Sequence, residues 1–207
     1  MIRTFLAVEL SDDLRAQISR VQQNFKARLS RDLPRDVRVS WVRPAAIHLT
    51  LKFLGDIDEQ LVTPLQTAMA NVLGAMPAVD VPLDRIGGFP SLQQPRVLWV
   101  GPSDSWEQGE EARRLADVHR AVEACCVAMG CAPEPRPLSP HLTLARIKEG
   151  TRQVGQALAK IGALERPLAL PALSVKAVVL MKSELRPTGS IYTKLWEVPV
   201  VPQTASR

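Results

Sequence analysis

Two stretches of this sequence, "IHLTLKFLG" at residues 47–55 and "PHLTLARIK" at residues 140–148, share the tetrapeptide His-Leu-Thr-Leu. The chain of 207 residues contains only three histidines, and two of them, His48 and His141, begin this tetrapeptide. At average residue usage, two of three histidines would share their next three residues by chance on the order of once in a thousand sequences. The repeat therefore invites a functional interpretation of both histidines.

Each copy of the tetrapeptide is predicted to lie on a β-strand, where alternate side chains share one face. The face of each strand that bears the histidine is polar. It carries His48, Thr50 and Lys52 in the first copy and Ser139, His141 and Thr143 in the second. Phe53 falls on the opposite, apolar face, so strict alternation predicts that it lies in the core. Each strand thus has one face for a core and one that is suited to lining a cleft.

Two imidazoles facing one cleft can perform acid–base chemistry, because the unperturbed histidine pKa is about 6.5. The neutral ring can take a proton from water while the protonated ring gives one to a leaving oxygen. Threonine hydroxyls can donate hydrogen bonds to a phosphoryl oxygen. This set of groups suits phosphodiester cleavage without a metal. A single half-buried histidine is more often structural, and the third histidine, His119, is predicted to be a surface or helix-capping residue.

Composition and charge narrow the class of protein. Hydrophobic residues make up 46% of the chain and charged residues 23%, which is typical of a globular protein. The net charge of +5 is spread along the chain, which favours a few cations around a phosphate over the coating of nucleic acid, although a basic surface alone would look the same. No segment resembles a signal peptide or a membrane span, so we expect a cytoplasmic protein without a membrane partner.

The three cysteines do not predict a disulfide or a metal site. Cys125 and Cys126 are adjacent, and Cys131 follows closely, without the paired spacing or fourth ligand of a zinc site. We expect the first two to be small core residues. No cofactor and no metal is predicted.

The order of predicted elements indicates an α+β fold with antiparallel sheets and helices on their outer faces. Apolar residues at helical spacing predict helices after Ser11 and Asp58, from about residue 105 to 129, and around 154–161. No linker divides the chain. We expect one domain over residues 1–200 and a disordered tail over 201–207.

The chain resembles the bacterial and archaeal RNA 2′,3′-cyclic phosphodiesterases, also called 2′-5′ RNA ligases, of the 2H phosphoesterase superfamily. The resemblance is carried by nearly the whole chain, in the stretches "RTFLAVEL", "WVRPAAIHLTLKFLGDI", "FPSLQQPRVLWVG", "PHLTLARI" and "YTKLWEVPV". It implies a bilobal, pseudo-two-fold fold whose two antiparallel sheets face a central cleft. It also implies hydrolysis of a terminal 2′,3′-cyclic phosphate to a 2′-phosphate.

The resemblance also implies roles for individual residues. His48 would be the proton donor and His141 the proton acceptor, with Thr50 and Thr143 holding the phosphate. Members of the family commonly carry arginine where this chain has Ser139.

The missing cation could come from Arg136 or from Lys52. Tyr192 and Arg146 are weaker candidates for the substrate site. Phe53 matches a family aromatic that is linked to base stacking, although strand alternation places it in the core.

Two further functions stay open at this point. A 5′-hydroxyl could replace water as the nucleophile, which would make the reaction 2′-5′ RNA ligation. The chain could also be a non-catalytic module that binds RNA or nucleotides, although both copies of the motif are intact. The expected partners are RNA ends or 2′,3′-cyclic nucleotides, and the expected state is a monomer.

Overall fold

The computed structural model describes residues 1–162, 168–186 and 189–201. Within these residues the chain forms strands and helices in an α+β order. The strands are β1 (Ile2–Glu9), β2 (Arg38–Trp41), β3 (His48–Ile57), β4 (Val79–Val81), β5 (Arg85–Phe89), β6 (Val97–Gly101), β7 (Leu142–Glu149), β8 (Leu173–Val175), β9 (Ala177–Arg186) and β10 (Gly189–Pro199). The helices are α1 (Asp12–Asp32), α2 (Val62–Leu73), α3 (Asp104–Glu107), α4 (Glu110–Ala128) and α5 (Thr151–Lys160).

The large sheet consists of two antiparallel halves that meet at a single residue pair. Its strand order is β10-β9-β1-β3-β7-β6-β5, with β2 also paired to β7, and β4 and β8 form a separate two-stranded ribbon. Strands β3 and β7 pair only through Leu49 and Leu142, which occupy the same position in the two His-Leu-Thr-Leu copies. The predicted antiparallel α+β fold with its two facing halves is confirmed.

The main core lies between one face of the large sheet and the helices. Alternate residues of the strands enter this core, so the histidines are left on the other face. The core brings together Leu6 and Val8 of β1, Leu49 and Leu51 of β3, Leu142 and Leu144 of β7, Leu14 and Ile18 of α1, Leu65 and Met69 of α2, and Leu115 and Val118 of α4. Cys125 and Cys126 of α4 are also buried there, as predicted.

Strand β3 departs from regular alternation after Thr50. In the pairing of β1 with β3, Leu6 faces Lys52 and Ala7 faces Thr50, so Leu51 is an extra residue in β3. Such a bulge shifts the following side chains relative to the sheet faces. Leu51 and Lys52 are therefore both buried, and Phe53 is 63% exposed on the cleft side.

Strand β7 has the same irregularity at the same point of the repeat. Leu98 of β6 faces Ala145 and Trp99 faces Thr143, so Leu144 is the extra residue. Ala145 is fully buried, like its counterpart in the first copy. Arg146, which corresponds to the aromatic of the first copy, is exposed and lines the cleft. The repeat thus extends over six residues of each strand.

Lys52 lies in the interior as one half of a buried ion pair. Its Nζ donates hydrogen bonds to both carboxylate oxygens of Glu123 (2.9 and 2.7 Å) and to the Ala132 carbonyl (2.8 Å). Burial acts to raise the pKa of Glu123, but the hydrogen bonds from Lys52 and from the Glu134 N–H outweigh it and lower that pKa. The prediction that Lys52 lies on the cleft face is wrong, because the bulge turns it inward.

The C-terminal segment is anchored at its first residue. The Val201 N–H donates to the Met76 carbonyl and the Ala78 N–H donates to the Val201 carbonyl, both at 2.8 Å. The rest of the tail expected at 201–207 lies outside the described residues. Among the described residues, no helix is long and apolar enough to cross a membrane.

Removing the carboxylate of the buried pair should destabilise the protein strongly. We expect Glu123→Ala to lower the free energy of unfolding by about 3–5 kcal/mol, because it leaves the buried ammonium of Lys52 without a counter-charge. Glu149→Ala, which removes the exposed pair with Arg38, should cost less than about 1 kcal/mol. Urea titration of both variants measures the difference, and equal losses would contradict the buried ion pair.

Candidate active site

The two histidines line one cleft of about 310 Å³ between the halves of the large sheet. The cleft is lined by side chains from both halves and from the segment before β3. They are Arg3, Thr4, Phe5, Val42, Ala46, Ile47, His48, Thr50, Phe53, Gly55, His141, Thr143, Arg146, Ser183, Leu185, Ser190 and Tyr192. The sequence repeat thus brings together both imidazoles and both threonine hydroxyls, as predicted from strand alternation.

Each imidazole is oriented by the backbone two residues before it. Nδ1 of His48 lies 2.9 Å from the Ala46 carbonyl, and Nδ1 of His141 lies 2.8 Å from the Ser139 carbonyl. A carbonyl oxygen only accepts, so Nδ1 carries the proton in both rings and Nε2 is left as the unprotonated nitrogen of the neutral form. Both rings therefore have the same tautomer, although the two lobes differ in sequence.

Aromatic rings pack against both imidazoles. Phe5 stacks on His48 with ring centroids 4.7 Å apart, and Tyr192 approaches the same ring edge-on at 5.3 Å. On the other side of the cleft, Phe89 meets the His141 ring edge-on at 4.9 Å, and Trp99 lies 6.1 Å from it. These contacts restrict ring rotation and exclude water from one side of each imidazole.

Glycine at position 87 makes room for one of these aromatic supports. Gly87 of β5 pairs with Trp99 of β6, and a Cβ on Gly87 would lie 2.0 Å from the indole ring. The indole can therefore lie flat over the strand only because this side chain is missing. Arg85 covers the same ring, with its guanidinium carbon 5.4 Å from the centroid.

Burial favours the neutral form of both imidazoles. It lowers the pKa of His48 from 6.5 to about 4, and the charges of His141 and Arg146 lower it further against the hydrogen bond to Ala46 and the charge of Glu9. Burial also lowers the pKa of His141, where the hydrogen bond to Ser139 opposes it and the charge of Arg146 adds to it. Both imidazoles are thus in the neutral form near pH 7, with a proton on Nδ1 and none on Nε2.

Helix α1 and the segment before β3 hold the two motif strands together. The buried Gln22 side chain of α1 donates to the carbonyls of Val42 (2.7 Å) and Leu144 (2.9 Å). Arg15 of the same helix donates to the carbonyls of Leu10 (3.0 Å) and Pro44 (3.3 Å). These bonds fix the turn Pro44–Ala46, whose last carbonyl orients the first imidazole.

Strands β9 and β10 close one side of the cleft. Tyr192 pairs with Ser183, and Ser190 pairs with Leu185. The Arg43 guanidinium donates to the Ser190 carbonyl at 2.6 Å and so joins β10 to the segment before β3. The position predicted for Tyr192 beside the substrate site agrees with its place in the cleft lining.

Two of the cations suggested by the sequence lie away from the cleft lining. Arg136 is exposed and binds Glu134 through Nε at 2.9 Å, which raises its pKa. Lys52 is buried against Glu123. The Ser139 side chain is exposed outside the cleft lining, and only its carbonyl takes part in the site. Arg146 lines the cleft, and its positive charge acts on both histidines.

The position of Phe53 corrects the sequence interpretation, and Arg146, a weaker candidate from the sequence, lines the cleft for the same structural reason. Strict alternation places both side chains on the core face, whereas the bulge in each strand turns both into the cleft. A signal was present in the repeat itself, since both residues occupy the sixth position counted from the histidine. Phe5, Ser183 and Leu185 had no local motif and were missed.

A cleft lined by two histidines, two threonines and an arginine has the groups that a phosphoesterase site requires. The model of the family described as LigT like Phosphoesterase matches residues 8–99 and 107–192. The chain belongs to this family, and the resemblance seen in its sequence is confirmed.

The relatives and the solved structures agree with this assignment. The chain is 32% identical over 194 residues to the RNA 2′,3′-cyclic phosphodiesterase of Methanothermobacter thermautotrophicus, covering 94% of this chain and 96% of the relative. It is 32% identical over 162 residues to the protein of the same name from Aeropyrum pernix, covering 78% and 86%. TT0787 of Thermus thermophilus has the same fold, with a TM-score of 0.69 at 24% identity and coverage of 98% and 100%. Escherichia coli LigT complexed with 3′-AMP also has this fold, with a TM-score of 0.70 at 23% sequence identity, covering 96% of this chain and 98% of LigT.

The lowered pKa of His48 should make the protein less stable in acid. Between pH 6.5 and 4 the unfolded chain protonates this residue and the folded protein does not, so stability falls as the pH falls; above pH 6.5 the residue has no effect. We expect the free energy of unfolding to drop by roughly 3 kcal/mol more in the wild type than in His48→Gln between pH 7 and 4. Urea titrations at pH 7, 5.5 and 4 measure this, and parallel losses would contradict the burial of His48.

Proposed function

We propose that this chain hydrolyses the 2′,3′-cyclic phosphate at the end of an RNA or of a nucleotide to a 2′-phosphomonoester, without a metal ion. The supporting observation is the matched orientation of His48 and His141, whose unprotonated Nε2 atoms belong to one cleft. The names of the relatives at 32% identity support the same substrate class. Among the described residues, no group of three His, Cys, Asp or Glu side chains could hold a metal.

In the proposed reaction, water attacks the phosphorus and the bond to the 3′ oxygen breaks. His141 takes the proton of the attacking water through Nε2, and His48 gives a proton to the leaving 3′ oxygen. Because burial keeps the pKa of His48 low, the bound substrate must raise this pKa for the ring to be protonated. The anionic phosphodiester does this, since a nearby opposite charge raises the pKa of an imidazole. After each turnover, His141 releases its proton to solvent and His48 takes one up from solvent.

The phosphate is held by groups from both motif copies. Thr50 and Thr143 are half-buried in the cleft and donate their hydroxyls to the non-bridging oxygens. Arg146 neutralises the charge that grows on these oxygens in the transition state. This assignment replaces Lys52 and Arg136 as the source of the cation.

The half of the large sheet that contains β1, β3, β9 and β10 positions the nucleoside. Phe53 presents an exposed ring in the cleft, with its centroid 6.1 Å from that of Phe5, and provides a face on which a base can stack. Tyr192 of β10 packs edge-on against Phe5 and His48, with ring centroids 5.0 and 5.3 Å away, and its hydroxyl can meet the ribose in the same cleft. One domain over residues 1–200, a monomeric state and a cytoplasmic location stay predictions.

Removing either imidazole should abolish most of the activity. We expect His48→Ala and His141→Ala each to lower turnover of a 2′,3′-cyclic nucleotide by roughly 10²–10⁴-fold, with little further loss in the double variant, because the two groups act in one step. Initial rates in excess chelator, with the product isomer identified by ³¹P NMR, provide the measurement. His119→Ala, outside the cleft, is the control and should stay near the wild-type rate. Near-wild-type turnover in either of the two variants would refute the mechanism.

Arginine substitutions should separate the cleft cation from the one outside it. We expect Arg146→Ala to lower kcat/KM by about 10²-fold or more and Arg146→Lys to recover part of it, because one charge-assisted hydrogen bond to the phosphate is lost. Arg136→Ala, which removes an exposed charge paired with Glu134, should change kcat/KM less than twofold. Steady-state kinetics on one cyclic nucleotide decides the assignment, and the reverse order of effects would restore Arg136 as the phosphate ligand.

A further inference from the structure

The cleft continues along β1 beyond the two histidines as far as Arg3, which forms no ion pair with any described residue. Phe5 contacts the His48 ring, and Arg3, two residues earlier on the same strand, also lines the cleft. We propose that Arg3 binds the phosphate on the 5′ side of the terminal nucleotide, so that the enzyme prefers the end of an RNA chain to a cyclic mononucleotide. This inference rests on the proposed function and specifies its substrate.

The position of Arg3 matches the next phosphate of a chain. The extra residues of this strand pair belong to β3, so β1 keeps its alternation and Arg3 and Phe5 lie on one face. A strand rises about 3.3 Å per residue, which places Arg3 about 7 Å beyond Phe5. That separation is on the scale of one nucleotide. In the proposed pose, the cyclic phosphate lies at His48 and the base on Phe53, and the 5′ side of the terminal nucleotide extends toward Arg3.

The Arg3 side chain is available to a ligand. It is exposed and makes no hydrogen bond or ion pair with any residue in the described ranges. Asp56, which faces it across the β1–β3 ladder, is exposed and lies beyond ion-pair distance of it. Other arginines of this lobe are occupied, since Arg15 binds backbone carbonyls and Arg43 binds Ser190. Arg3 is thus a cation at the edge of an aromatic surface, without an ion pair to any acidic residue in the described part of the chain.

Gly55 lines the part of the cleft between Phe53 and Arg3. Gly55 faces Thr4 in the β1–β3 ladder, and a Cβ built on it meets no atom within 4 Å. Ser183 adds a hydroxyl to the same part of the lining, and the Leu185 side chain is 72% exposed beside it. The backbone at Gly55 thus leaves open space in this part of the cleft.

The added phosphate separates two substrates that share every other group. A nucleoside 2′,3′-cyclic phosphate carries one phosphate, which both substrates place between the histidines. A dinucleotide ending in the same cyclic nucleotide adds one internal phosphodiester on its 5′ side. Arg3 can bind a phosphate only in the dinucleotide, because the mononucleotide has a 5′-hydroxyl at that position. The effect of Arg3 is therefore on the ratio of the two rates.

The experiment compares kcat/KM for adenosine 2′,3′-cyclic phosphate and for the dinucleotide ApA with a 2′,3′-cyclic end. We expect the wild type to prefer the dinucleotide by about tenfold, and Arg3→Gln to remove most of this preference while it leaves the mononucleotide within twofold. The logarithmic salt dependence should be steeper for the dinucleotide by about 0.7, the value for one phosphate contact on a single strand. Arg3→Lys should keep this difference, and Arg3→Gln should lose it.

Arg20→Gln is the matched control, because it removes the same charge from an exposed position on α1 outside the cleft lining. It should leave the preference and the salt dependence unchanged. An equal loss on both substrates in Arg3→Gln, or a wild type without preference, would overturn the inference.

Hydrolysis of neither substrate would instead refute the proposed function. Binding of the 2′-phosphorylated dinucleotide, measured calorimetrically in the wild type and Arg3→Gln, would then still test Arg3. Equal affinities would overturn its role.

Discussion

An extra residue at the same position of both motif strands determines which side chains line the cleft. Leu51 in β3 and Leu144 in β7 have no partner in the pairing ladder, and in both strands the next residue is buried as well. The sixth residue of each copy therefore faces the cleft, where Phe53 supplies an aromatic surface and Arg146 a cation. Two strands of similar sequence, each with a bulge at the same position of the repeat, thus present an aromatic ring and a cation to one cleft. The buried pair of Lys52 with Glu123 follows from the same bulge, because an inward ammonium needs a counter-charge.

The histidines depend on a second repeated feature, the carbonyl that lies two residues before each ring. This hydrogen bond selects the tautomer, and the surrounding aromatic rings keep the imidazole in place and partly desolvated. Desolvation lowers the pKa of both rings, so both are neutral near pH 7. In the proposed mechanism, the anionic substrate raises the pKa of His48 and so favours its protonation.

The sequence predicted the parts of the site that depend on strand period and on repetition. His48, Thr50, His141 and Thr143 lie on one face because two-residue alternation holds as far as the threonine in each copy. It fails at Lys52, because a bulge depends on the register with neighbouring strands, and register is a tertiary property that a single strand does not encode. The contributions of Phe5, Ser183 and Leu185 were unpredictable for the same reason, since they arise only when β1 and β9 pair beside β3.

The central claim is that two Nδ1-protonated imidazoles, both neutral in the free protein, share one cleft that receives a phosphate. ¹⁵N NMR of ring-labelled histidine tests it most directly, because the two ring nitrogens report tautomer and protonation separately. In the free protein at pH 7, His48 and His141 should both show a protonated Nδ1 and an unprotonated Nε2. A 2′-phosphorylated nucleotide should then shift both Nε2 resonances and leave His119 unchanged. A protonated Nε2 on either ring of the free protein, or a response from only one of the two rings, would contradict the account.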